Sequence, residues 1–231
     1  MTEEEIVPTP ESEMMPYDEP WYQIFIKALT QPNLATYEEI AMSPDASIGK
    51  AYAWLAASGL VGGIVSAVIR MIVGFVFGSV GGSETLAYGI GMGFGAFCIG
   101  IPLGIIISLV GFTIYTGISH GIAKMLGGQG DFAQLAYTIA AYTVPISLIS
   151  SFIISIPIVN MISLVIGIYA VALNIIAIKA VHQFDWGRAA ASSVLVIGLA
   201  LCIVAFCLVL MLTLMGPAIG DVFSNIIQDL Q

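Results

Sequence analysis

Between Ala51 and Met215 the chain carries five long apolar runs joined by short polar stretches, and few folds can accommodate that pattern. The runs cover 51–77, 86–119, 132–154, 158–180 and 189–215. A helix needs about 20 apolar residues to cross about 30 Å of hydrocarbon. Inside a bilayer every backbone N–H and C=O must find a partner within the protein, which selects helices for segments of this kind. The expected fold class is an all-α integral membrane protein with five transmembrane helices. A hydrophobic fraction of 58%, a charged fraction of 9% and a mean hydropathy of +1.00 exclude an ordinary soluble domain.

The net charge of −9 is concentrated at one end. Ten of the 15 acidic residues fall between Glu3 and Asp45. Residues 1–20 combine Glu3, Glu4, Glu5, Glu11, Glu13, Asp18 and Glu19 with four prolines. Mutual repulsion among the carboxylates and the helix-breaking prolines predict a disordered acidic tail. It lacks the basic start and apolar core of a signal peptide. Residues 21–50 form a cytoplasmic amphipathic segment. Within it Trp21, Ile24, Phe25, Ala28 and Leu29 recur on one helix face, and Pro32 stops the helix. Such a helix beside a membrane is expected to lie in the interface, with Trp21 and Phe25 as candidates for binding a soluble partner. Residues 217–231 repeat the pattern through Ile219, Val222, Phe223, Ile226, Ile227 and Leu230, which predicts a second interfacial helix after Pro217.

Cations orient the bundle. Lys27 and Lys50 precede the first run, Lys124 separates the second from the third, and Lys179 and Arg188 flank the joint before the fifth. The positive-inside rule then places the N-terminus in the cytoplasm and the C-terminus outside. Arg70 is the one charge within an apolar run. It either snorkels to the far interface or forms a buried functional charge with a partner. Gly91/Gly95 and Gly100/Gly104 are spaced four apart and would let a neighbouring helix approach closely. Pro102 and Pro145 interrupt the second and third runs. Each should kink its helix, with Ser147, Ser150, Ser151 and Ser155 near enough to re-bond freed carbonyls. Tyr52 and Trp54 suit an interfacial belt, Asn174 and Tyr169 add polar atoms to the fourth run, and the three cysteines read as small core residues.

The joint from His120 to Pro145 is the most informative short stretch. Gly127, Gly128 and Gly130 permit a tight reversal. Asp131 follows at a helix N-cap position, and Gln134 completes a capping box with it. The sequence His120-x-x-Ala-Lys124-x-Leu-Gly127-Gly128-x-Gly130-x-Phe-x-Gln resembles the loop of the Yip-one domain family. Phe25 to Ala41 and Ile168 to Leu173 resemble that family as well. The resemblance implies a multi-spanning membrane protein. Its eukaryotic relatives bind Ypt/Rab GTPases and serve vesicle traffic. The Asp-Leu-Tyr-Gly-Pro motif associated with those relatives is absent, and Pro16-Tyr17-Asp18-Glu19-Pro20 is only an echo of it. The resemblance therefore points to a prokaryotic-type member in a plasma membrane, with a Golgi or endoplasmic reticulum membrane as the alternative.

Motifs of catalysis are missing: the chain has no HExxH, GxSxG, Walker loop or strand-borne GxGxxG. It is not expected to be an enzyme, and neither a cofactor nor a metal is expected. His120 with Asp131, and His182 with Asp185, share polar joints expected on the same face; of the two readings there, a two-histidine metal site and solvated interfacial histidines, the second is preferred. With no basic patch, nucleic acid is not an expected partner. The expected partners are the bilayer, a soluble cytoplasmic protein and a second copy of the chain. Two functions stay open: a membrane-organising adaptor, and a small-solute transporter or channel framed by Pro102, Pro145 and Arg70.

Overall fold

The computed structural model describes residues 20–81, 91, 94–153 and 161–229. The tail 1–19, the joint carrying Glu84, Gly93, and the stretch with Ser155, Pro157 and Asn160 lie outside the described residues. The described elements are α1 (Trp21–Thr30), α2 (Leu34–Ala41), α3 (Ile48–Gly81), a π turn (Ala96–Gly100) running into α4 (Ile101–Met125), α5 (Phe132–Ile153), α6 (Ile162–His182) and α7 (Trp186–Asp229). Five of them contain a segment long and apolar enough to cross a membrane: Ile48–Val76, Phe97–Met125, Phe132–Ile153, Ile162–His182 and Trp186–Pro217. The protein is an all-helical membrane bundle, as the apolar runs require.

Local chemistry sets the short helices. Pro20 starts α1, its carbonyl accepting from Gln23 N at 2.8 Å. Pro32 disfavours helical geometry in the residue before it, and α1 stops at Thr30. Asn33 caps α2 by accepting from Thr36 N at 2.9 Å. Ser47 accepts from Lys50 N at 3.3 Å at the start of α3.

The helix expected to lie in the interface packs its apolar face against the bundle, as part of the α1–α2 hairpin. Ala28 is fully buried, Tyr37 is fully buried, and the Tyr37 hydroxyl donates to the Ala28 carbonyl at 3.0 Å. The Tyr169 hydroxyl donates to the Leu29 carbonyl and ties the end of α1 to α6. Phe25 meets Trp54 edge-on at 4.8 Å between ring centres, and Trp54 lies 4.8 Å from Tyr137 on its other side. Trp54 thus packs between α1 and α5. Burying the apolar face of α1 against these rings removes it from lipid, which an isolated amphipathic pattern does not foretell.

The core occupies one end of the bundle. Leu135, Tyr137, Ile139, Leu173 and Ile178 are buried there with the hairpin. Further along the bundle, large apolar side chains turn outward, at Leu60–Val76, Phe94–Ile114, Ile149 and Phe152, Met161–Tyr169, and Val194–Met215. Such an exposed apolar band is stable only against hydrocarbon.

The close helix contacts come from α3, not from the glycine pairs of the second run. A Cβ at Gly62 would lie 2.5 Å from Ser151 Oγ, and one at Gly63 would lie 2.9 Å from Ile101 Cγ1. At Gly91, Gly95 and Gly104 nothing stands within 4 Å. Spacing marks a face as small, but the partner's bulk decides which face is used: Ile101 and Ile105 of α4 press into the glycines of α3. Ser147 Oγ bonds Ser58 Oγ, and Ser66 Oγ donates to the Ser151 carbonyl, each at 3.4 Å. Gly62→Leu is therefore expected to lower the melting temperature in detergent sharply, by overpacking worth about 1–3 kcal/mol. Gly95→Leu should leave it nearly unchanged. Equal melting curves would remove α3 from this contact.

Neither Pro102 nor Pro145 ends its helix. Pro145 sits inside α5 without ending it, with Ser147 Oγ donating to the Val144 carbonyl at 2.7 Å. Pro102 lies in the first turn of α4, where its missing N–H costs little. The irregularity falls just before it, as the π turn. Pro217 lies inside the unbroken 44-residue α7. Over 217–229 the separate interfacial helix expected after Pro217 is instead a continuation of the fifth span's helix. One lost bond, worth about 3 kcal/mol with the ring clash, does not end a helix whose ladder is intact on both sides.

Candidate functional site

The glycine loop between α4 and α5 is built as a clasp. Leu126 caps α4 and Gly127 follows at φ +92°. Gly127 N donates to the Lys124 carbonyl at 3.0 Å and Gly128 N to the Ala123 carbonyl at 2.9 Å. That is the Schellman pattern, and its left-handed residue favours glycine. On the far side Asp131 Oδ2 accepts from Ala133 N at 3.2 Å, and Gln134 Oε1 accepts from Asp131 N at 3.4 Å. The capping box anticipated from the sequence is therefore present.

Between these caps the loop folds onto the end of α6. Gln129 N donates to the His182 carbonyl at 3.3 Å. A Cβ at Gly128 would lie 2.8 Å from the His182 ring, and one at Gly130 would run into the Val181 backbone carbonyl. Cations bind the loop's carbonyls: Lys124 Nζ donates to the Gln129 carbonyl at 3.4 Å, and Arg188 Nη1 to the Leu126 carbonyl at 3.3 Å. Arg188 is held in turn by Asp185, Nε to Oδ1, at 3.2 Å. Lys179 Nζ donates to the Phe184 carbonyl at 3.0 Å and sits 5.0 Å from the Trp186 ring centre. The cations used to orient the bundle thus also hold its two loops closed.

Beneath the clasp lie the two histidines. Their ring centres are 5.2 Å apart. His182 is 1% exposed, stacked on Phe184 and edged by His120, which itself meets Phe132. Neither His182 nitrogen has a hydrogen-bond partner, nor does His120 Nδ1. The expectation of a solvated histidine is corrected at His182: the glycines allow the loop backbone to descend onto its imidazole, whereas His120 is half-buried. Thr116, one turn from His120, is fully buried with an unpartnered hydroxyl. Thr116 and Ser119 were not singled out, and their one-face spacing with His120 is a pattern any helix could show. His182 was named with Asp185, but only as a solvated residue of its joint.

Other candidate residues separate. Arg70 is exposed and lines a cleft of about 320 Å³ between α3 and α4 with Gly63, Gly100 and Gly104. Trp21 is 64% exposed, whereas Phe25 is committed to Trp54. Tyr169 is committed to Leu29, and Pro102 and Pro145 lie away from the histidines in their helices. Tyr142 OH donates to Asn174 Oδ1, and Asn174 Nδ2 donates to Ser193 Oγ, each at 3.1 Å, forming a buried polar bridge across three spans. A cavity of about 380 Å³ beside it is lined from all five spans, including Leu55, Tyr115, Thr143, Ala170 and Ile197.

A five-span helical bundle, capped at one end by a helical hairpin and a glycine clasp, defines a polytopic integral membrane protein. The chain matches the Yip1 domain over residues 26–215 and belongs to that family. The match begins within α1 and ends near Pro217, so it takes in the hairpin as well as the spans. Neither a curated protein nor a solved structure matches the chain.

Proposed function

We propose that this Yip-family protein is a non-catalytic adaptor that organises a membrane by presenting a cytoplasmic platform to a soluble protein. The observation that carries the reading is the α1–α2 hairpin, which is fixed to the bundle yet keeps a face outward. Trp21, Tyr22 and Ile26 are exposed on α1. Beside them a cleft of about 380 Å³ runs between Ile24, Lys27, Glu39, Met42, Pro44 and Asp45. Exposed aromatic residues next to a mixed-charge cleft suit a protein partner better than lipid alone. The cation distribution supports a cytoplasmic N-terminus.

The competing reading is transport, which the cavity lined from all five spans favours. One comparison separates the two. Full-length protein in detergent should capture a cytosolic partner from its own host, and Trp21→Ala should reduce capture about tenfold or more, as for an interface hot spot. Flux in liposomes should match empty vesicles. Solute flux with capture unaffected by Trp21→Ala would reverse the assignment.

A further inference from the structure

We propose that the cleft between α3 and α4 seats one anionic phospholipid, with its phosphate on Arg70 and an acyl chain along the groove beneath; this goes beyond the adaptor reading and does not depend on it. The starting point is an unmatched charge. Arg70 is the one charge within an apolar run. Among the described residues its guanidinium has neither an ion pair nor a hydrogen bond. A cation on a membrane span is normally paired with another group or drawn to a headgroup.

Depth favours the headgroup. Lys50 and Arg70 stand about 20 residues apart on α3, which is about 30 Å of helix. That is the thickness of the hydrocarbon layer, about 30 Å. Arg70 therefore reaches the phosphates of the leaflet opposite the hairpin. From Arg70 the cleft, of about 320 Å³, runs back along α3 through Ala67, Ser66 and Gly63 to Gly59. Its length along the helix is about 16 Å, close to the depth of one leaflet's hydrocarbon, about 15 Å. Ile101 and Ile105 of α4 form the facing wall. Ala67 and Ile101 are buried at its floor, whereas Arg70, Gly100 and Gly104 are exposed at its mouth. The cleft thus opens sideways, toward the lipid, with its charge at the headgroup end.

The lining selects the occupant. It holds one cation and no carboxylate, so a net-anionic headgroup balances Arg70 and the ammonium of a zwitterionic one finds no counter-charge. A small free anion would meet a single charged donor between apolar walls, because the Ser66 hydroxyl already donates to the Ser151 carbonyl at 3.4 Å. An amphiphile satisfies both the cation and the apolar groove. The planar guanidinium fork also matches phosphate oxygens in pairs.

The test uses the full-length chain reconstituted in vesicles of equal phosphatidylglycerol and phosphatidylethanolamine, extracted in mild detergent and weighed by native mass spectrometry. The expected result is one phosphatidylglycerol per chain, not displaced by added inorganic phosphate. Arg70→Gln should reduce retention about tenfold or more, the scale of a lost hydrogen bond to a charged group. Gly104→Leu should do the same with the charge intact, because its side chain grows into the cleft. Nothing lies within 4 Å of a Cβ at Gly104, so that variant should still fold. Gly198→Leu, equally unobstructed on α7, is the control and should keep the lipid. No adduct on the parent chain, or equal retention of the two lipids, would overturn the proposal. Displacement by inorganic phosphate would overturn it in favour of a soluble-anion site. Retention that survives Arg70→Gln or Gly104→Leu, or that is lost equally in Gly198→Leu, would reduce Arg70 to a contact with bulk lipid.

Discussion

Gly130→Ala is expected to open the glycine clasp and lower stability by about 3 kcal/mol, the upper end for overpacking. A Cβ at this position runs into the Val181 backbone carbonyl, which cannot swing away as a side-chain tip would. The loop would have to lift, losing the Gln129-to-His182 bond and admitting water to the histidines. Melting in detergent and hydrogen exchange over 126–131 measure both effects. Gly121→Ala is the control, since nothing lies within 4 Å of its Cβ. In a helix interior that change should stabilise by roughly 0.5–1 kcal/mol. Indistinguishable behaviour of the two variants would mean that the loop does not seat on α6.

Tyr37→Ala should detach the hairpin. The side chain is fully buried and its hydroxyl holds the Ala28 carbonyl. Deleting an aromatic ring from a core costs about 3–5 kcal/mol. Limited proteolysis should then cut between α2 and α3 while the five spans stay intact. Tyr37→Phe should cost only about 1 kcal/mol, the net worth of one hydrogen bond. Burial, with Tyr169 adding to it, raises the Tyr37 phenol well above its ordinary value. The sign follows: the folded state favours the neutral phenol, so its contribution is complete below about pH 10 and declines as pH rises beyond the unfolded value. Tyr37→Phe should flatten that alkaline decline. A Tyr37→Ala protein as resistant to protease as the parent would sink this account of the hairpin.

The hairpin and the clasp differ in how far the sequence foretold them. The clasp was legible because its determinants are local. Gly127 must take positive φ, and Asp131 and Gln134 cap the next helix within four residues. What the glycines face was not legible, because Val181 and His182 lie more than fifty residues away. The periodic apolar face of α1 was read correctly, but its partner was not: lipid and Trp54 reward the same pattern. For the same reason Trp21 and Phe25 looked equivalent until the structure turned one outward and the other onto a ring.

The sequence by itself determined that this chain spans a membrane as helices, how many times, and which polar joints carry the cations. Those properties follow from run length, hydrocarbon thickness and charge, and need no knowledge of neighbours. Only the tertiary structure decided which glycines admit a helix, that α7 continues through Pro217, and that two histidines from distant joints meet, one of them buried. Each of those outcomes depends on the shape of a surface brought up from elsewhere in the chain, and close packing makes a difference of one methyl group decisive.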